Sequence, residues 1–169
     1  MTRARAWLLA AAALAAGGCP DSEQSFPGLG GGAAQAGRVD RVDLHAAPTA
    51  MNWDDRPGPD GIATQVYLYR VTNGKVSTVP VAGALEFVLY DGNVSQPEMA
   101  GRSPWRTWRF APGDVAQYAA RNMIGGHYAV PLRWGPRSPR GPLVTLMVRY
   151  EPRQGKPLSS KPMGVRVGQ

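Results

Sequence analysis

Apolar and polar residues alternate through most of the chain beyond residue 60. In Gly61–Val71, Val66 and Leu68 fall on one side and Gln65, Tyr67 and Tyr69 on the other, because successive strand side chains point to opposite faces. The aliphatic side reads as core and the aromatic side as half exposed. In Ala84–Tyr90, Leu85, Phe87 and Leu89 share a face opposite Glu86, Val88 and Tyr90. That pattern predicts a sheet packed on one side only. Between the two runs, Asn73-Gly74 is a dipeptide favoured in type I′ turns, where both positions need positive φ. A short strand over Lys75–Val81 follows, limited by Pro80, which has no N–H to give a neighbouring strand.

Further elements follow the same reasoning. Arg38–Thr49 reads as the first strand; Val39, Val42 and Leu44 break parity, which predicts a bulge between Val39 and Val42. In Trp105–Phe110, Trp108 and Phe110 oppose Thr107 and Arg109. His127–Trp134 aligns Tyr128, Val130 and Leu132, and Pro142–Pro152 sets Val144, Leu146, Val148 and Tyr150 against Thr145, Met147 and Arg149. Met163, Val165 and Val167 close the chain. The polar stretch Asp91–Arg106 reads as a loop over the sheet edge. A helix is expected over Asp114–Met123: Asp114 can cap it, Val115, Tyr118, Ala119 and Met123 line one face, and Gly125-Gly126 stops it. Short strands at regular spacing, separated by turn chemistry, predict an all-β fold: a single antiparallel β-sandwich of immunoglobulin- or fibronectin-like type, with one short helix, over residues 38–169.

The first 37 residues have a different character. Arg3 and Arg5 precede an apolar run, Trp7–Ala16, that is too short for a permanent membrane span. This predicts a signal peptide over residues 1–18. Ala16-Gly17-Gly18-Cys19 then resembles the lipobox of bacterial lipoprotein precursors. The resemblance implies cleavage before Cys19 and acylation of that residue. The sequence departs from the family pattern in one place: Ala16 stands where a large aliphatic is preferred, and Leu14 lies two positions upstream. The alternative is an ordinary secretory signal with a chance cysteine. Residues 19–37 then form the lipidated cysteine and a glycine-rich, flexible, disordered tether. The expected location is the cell envelope, exported and held to a membrane by lipid. The layout of lipobox, tether, Asn52-Trp53-Asp54 and Pro57-Gly58-Pro59-Asp60-Gly61 loop, and one β-domain resembles small envelope lipoproteins of planctomycete-type genomes.

Composition narrows the function classes. Cys19 is the only cysteine, so stability must come from apolar burial and not from internal disulfides. The formal charge of +7 falls to +5 once Arg3 and Arg5 are removed. The arginines are scattered and the chain is exported, which argues against a nucleic-acid partner. No Gly-x-Ser-x-Gly elbow, phosphate-binding glycine loop or His-Glu-x-x-His occurs, and His45 and His127 each stand alone in sequence. A non-catalytic binding or structural role without a cofactor is the expectation. Tyr67, Tyr69 and Arg149 are candidates for a protein contact face, because Tyr and Arg are enriched at interfaces. Trp105 and Trp108 with nearby arginines are candidates for a sugar- or polyanion-binding platform; the alternative is an aromatic core face. Asp54, Asp55 and Asp60 offer oxygen ligands for a cation such as calcium, against a purely structural turn. Trp53, in the same loop, is expected to cover the end of the core.

Overall fold

The computed structural model describes residues 38–168. The expected signal peptide, Cys19 and the expected tether lie outside these residues. The described part is an all-β sandwich of ten strands with one short helix.

The first sheet contains β1 (Arg41–Ala46), β2 (Gly61–Thr72), β3 (Lys75–Thr78), β6 (Ala119–Arg121) and β7 (Gly126–Arg133). Its order is β1-β2-β7-β6, with β3 also paired to β2. The second sheet contains β4 (Ala84–Asp91), β5 (Arg106–Phe110), β8 (Leu143–Glu151), β9 (Leu158–Ser159) and β10 (Met163–Arg166), in the order β10-β8-β4-β5, with β9 on β8. All strand pairs are antiparallel. A four-strand run ending β7-β6 facing β10-β8-β4 is the ABED and CFG order of immunoglobulin-type sandwiches, with β5 added at one edge. A parallel bridge between Thr49 and Arg166 links the two sheets at the other edge.

The core lies between the sheets. Val42, Leu44, Ile62, Val66, Leu68, Val130 and Leu132 meet Leu85, Phe87, Leu89, Val144, Leu146 and Val148. Trp134 extends the β7 alternation and is fully buried. Its indole Nε1 donates to the Pro59 carbonyl at 2.7 Å, and its backbone N–H donates to the Asp60 carbonyl at 3.0 Å. The loop that brings the chain back into β2 is therefore fastened to the end of the core. The Asn73-Gly74 turn has φ of 49° and 76°, as the type I′ geometry requires.

Several expectations are corrected. The helix is only Pro112–Ala116. Asp114 sits at its third position and accepts a bond from the Ala111 N–H. Residues 119–121 instead add β6 to the edge of β7, where the sheet satisfies more backbone groups than another helical turn. β1 starts at Arg41, and Asp40 N–H bonds to the carbonyl of Tyr69, the residue that Arg41 also faces, so the parity break falls at the entry to the strand. The second sheet is covered on part of its outer side as well. Val88, Tyr90 and Met147 on its outer face are buried under Val94 and Met99. The stretch expected to run over the edge thus folds across the face, fixed by the Thr145 hydroxyl, which accepts from Val94 N–H and donates to the Gly92 carbonyl.

Three carboxylates sit below their ordinary range. The Val71 N–H lowers Asp40, the Ser95 hydroxyl lowers Glu98, and the Arg109 guanidinium lowers Glu151. A carboxylate with a lowered folded pKa stabilises above its unfolded value and loses that contribution as pH falls through the folded one. The melting temperature should therefore stay level from neutral pH down to about 5 and fall below about 4. Asp40→Asn should make the acid limb shallower, read by melting curves across pH. Gly61 has no room for a side chain: a Cβ would lie 2.1 Å from the Leu132 carbonyl oxygen and 2.8 Å from the Trp53 ring. Gly61→Ala should destabilise the fold by about 2 kcal/mol or more, through forced separation of β2 from β7.

Candidate functional site

The outer face of the first sheet is built by register. β1 and β7 flank β2, with Asp43 opposite Tyr67 on one side and Tyr67 beside His127 at the next rung of β7. Cross-strand neighbours on one face lie within side-chain contact. Four rings consequently gather. Tyr67 stacks with His127 at 5.1 Å between centroids and with Tyr69 at 6.0 Å, and meets His45 edge-on at 5.4 Å. The Arg41 guanidinium covers Tyr69 at 4.5 Å. The Tyr67 hydroxyl accepts from Asn122 Nδ2 at 2.7 Å and donates to Gln65 Oε1 at 3.1 Å.

Tyr67 is therefore not an exposed contact residue. It is 1% exposed, although it points away from the core. Its neighbours on three strands and the β6–β7 turn cover it. Tyr69 is half-buried, and burial, with the Asp43 carboxylate adding to it, pushes its phenol up. Both histidines, isolated in sequence, converge on Tyr67. The signal that could have shown this is the odd parity shared by His45, Tyr67 and His127 on adjacent strands, but only the register reveals it.

Beside the ring cluster lies an open groove of about 520 Å³. Ala63, Gln65, Ala129 and Pro131 form its floor, and His45 and Trp53 its walls. Small floor residues leave it concave. Trp53 does not cover the core end, a place taken by Trp134. It lies over Gly61 on the outer face, with the Arg133 guanidinium 5.1 Å from its ring centroid. The loop that carries Trp53 is closed at its base by Met51 pairing with Gly61. The Asp60 carboxylate accepts from Trp53 N–H at 2.5 Å and from Asp54 N–H at 3.0 Å. Asp54 in turn accepts from Arg56 N–H at 2.9 Å, and Asp55 is exposed. Two of the three carboxylates thus bind their own loop backbone, and the turn reading explains this geometry. Among the described residues no group of three or more His, Cys, Asp or Glu is arranged to hold a metal.

The remaining candidates lie elsewhere. Arg149 is on the outer face of the second sheet, opposite the tyrosines across the sandwich, and pairs with Glu86 at 3.4 Å. Tyr67, Tyr69 and Arg149 consequently do not form one contact face. Trp105 and Trp108 are half-buried and packed on the core. Trp105 meets Trp134 edge-on at 6.5 Å, and the Trp108 indole donates to the Arg133 carbonyl at 3.0 Å. Their rings support the core margin and do not present a free platform. Among the described residues no helix is long and apolar enough to cross a membrane.

Tyr67→Phe should lower stability by about 1 kcal/mol per lost bond, because Asn122 and Gln65 lose their shared partner. Tyr67→Ala should lower it by about 3 kcal/mol or more, as a buried ring is replaced by a void. Thermal unfolding of both variants measures the difference; unchanged melting temperatures would contradict the burial. Searches of protein-family models, curated proteins and solved structures find no match to this chain.

Proposed function

We propose that the protein is a non-catalytic lipoprotein of the cell envelope, exported, anchored through acylated Cys19, and binding an envelope protein through the outer face of its first sheet. One observation carries the binding assignment. Val94 and Met99 cover the outer face of the second sheet around Val88, Tyr90 and Met147, whereas the first sheet keeps an open groove walled by Trp53 and His45. Aromatic residues and arginine around a concave, largely apolar floor are the composition of an interface centre. The chemistry of the cluster also favours binding over catalysis. Among the described residues, His45 and His127 both pack on the face or edge of the Tyr67 ring, and His127 Nδ1 lies 3.5 Å from the Gly125 carbonyl, so neither imidazole is aimed at a hydroxyl or thiol there. The contact residues are His45, Trp53, Gln65 and Arg133 in place of Tyr67 and Arg149.

A second reading, glycan binding, uses the same groove. Trp53 with Gln65 beside it offers a ring for stacking and a side-chain amide for hydrogen bonds, the means by which a sugar is held. Crosslinking in intact cells, followed by recovery of partners, separates the two. Trp53→Ala together with His45→Ala should reduce recovery of a protein partner by at least about tenfold, the scale of a lost aromatic anchor, while leaving the melting temperature nearly unchanged. Unaltered recovery would reject this face. A tryptophan-fluorescence shift on adding cell-wall glycans, lost in Trp53→Ala, would favour the glycan reading instead. The anchor is tested by mass spectrometry of the mature N-terminus, where a diacyl or triacyl mass on Cys19 is expected and an unmodified terminus would refute it.

A further inference from the structure

Among the described residues, four of the five exposed large hydrophobic residues sit at one end of the first sheet. Val71 and Val76 pair across the β2–β3 hairpin and are 51% and 55% exposed. Met123 and Ile124 form the tip of the β6–β7 turn and are 105% and 62% exposed. The antiparallel register sets these two hairpins side by side. Tyr69 pairs with Thr78, and the Thr78 hydroxyl accepts from the Gly126 N–H at 3.1 Å, so the β6–β7 turn begins where β3 ends. The turn is held rigidly. Asn122 Oδ1 accepts from Ile124 and Gly125 N–H at 3.0 and 3.3 Å, and its amide nitrogen is tied to Tyr67. Exposed apolar residues held on a rigid turn, instead of folded inward, mark a contact surface.

The same end is basic. Arg70, Lys75 and Arg121 are exposed beside the hairpins. A cleft of about 590 Å³ opens next to them, lined by Arg38, Arg153 and Lys156 together with Tyr150, Gln154 and Leu158. Two of the nearby acids are paired, Asp40 with Arg38 and Glu151 with Arg109, and Asp114 in the short helix caps its own backbone. The opposite end mixes signs, with Asp54, Asp55 and Glu98 among Arg56, Arg102 and Arg137.

This end is also where the preceding chain enters. Asp40 N–H donates to the Tyr69 carbonyl, and the Asp40 carboxylate accepts from Val71 N–H. Arg38 therefore emerges beside the β2–β3 hairpin, and only residues 20–37 separate it from Cys19.

We propose that this end rests on an anionic phospholipid bilayer, with Val71, Val76, Met123 and Ile124 entering the boundary between headgroups and acyl chains and the Arg153 and Lys156 side of the cleft receiving lipid phosphates. An apolar tip ringed by Lys and Arg is the composition of an interfacial contact, because apolar burial and attraction to anionic headgroups act together. The choice of a bilayer as occupant rests in part on the anchored reading of Cys19. Docking would fix the orientation of the sandwich, placing the Trp53 loop at the end farthest from the bilayer.

The test uses the full chain carrying Cys19→Ala, so that its result does not depend on lipidation. An environment-sensitive fluorophore is attached at Met123→Cys or, separately, at Asp55→Cys. Vesicles of phosphatidylcholine with phosphatidylglycerol, with and without bilayer-embedded quencher lipids, are titrated in. The label at position 123 should shift to the blue and be quenched, and the label at position 55 should do neither. Phosphatidylcholine vesicles alone should give a weaker response. Adding Arg70→Glu and Lys75→Glu should weaken the titration by about fivefold or more per residue, the ratio for one charge at an anionic surface. Three results would overturn the proposal: equal behaviour at the two positions, no response at position 123, or a blue shift without lipid that grows with protein concentration. The last would make a second copy of the chain the occupant of this end.

Discussion

β2 is bonded along both edges, buried on its inner face and covered at Tyr67 on its outer one, and the other elements take their positions from it. Along one edge it pairs with β1 from Thr64 to Tyr69. Along the other it pairs first with β7 and then with β3. Its inner side chains, Ile62, Val66 and Leu68, enter the core, and Tyr67 is enclosed on the outer side. A slip of one residue would send Tyr67 into the aliphatic core and expose Val66 and Leu68. The register is therefore fixed twice, by apolar burial inside and by the Tyr67 contacts outside. The close approach of β7 at Gly61 adds a third constraint.

This rigidity distributes the surface features among separate regions. Tyr67 ties the β6–β7 turn to the sheet through Asn122, which holds Met123 and Ile124 outward at one end. At the other end, Trp134 and Asp60 clamp the loop that sets Trp53 over Gly61. The groove lies between these ends on the same face. A basic apolar tip, a ring-lined groove and a clamped tryptophan loop thus follow from one strand and its neighbours. On the second sheet, Val94 and Met99 cover the outer face around Val88, Tyr90 and Met147.

The inner faces were legible in sequence because burial there imposes strict alternation on Leu85, Phe87, Leu89, Val144, Leu146 and Val148. The Asn73-Gly74 turn was legible because its φ values exclude most other residues. The outer faces were not. Whether Tyr67, Val88 or Tyr90 is covered depends on which distant segment crosses above it, and periodicity carries no information about that. The helix was over-read for a related reason: Tyr118 and Ala119 fit a helical stripe, but β7 offered an edge that the sequence could not show. The candidate site was hidden more completely. His45, Tyr67 and His127 come from three strands, and each looks ordinary alone.

The groove and the apolar tip depend most directly on these three rings sharing one face. Nuclear Overhauser spectroscopy of the folded protein tests this through the ring protons of Tyr67. Cross-peaks from Tyr67 to the imidazole protons of both His45 and His127, and to the side-chain amide of Asn122, are predicted, since ring centroids 5.4 and 5.1 Å apart and a 2.7 Å hydrogen bond bring their protons within reach. A Tyr67 ring with no cross-peak to either histidine, or one whose cross-peaks run instead to Phe87 or Leu146, would contradict the register from which the groove and the apolar tip both follow.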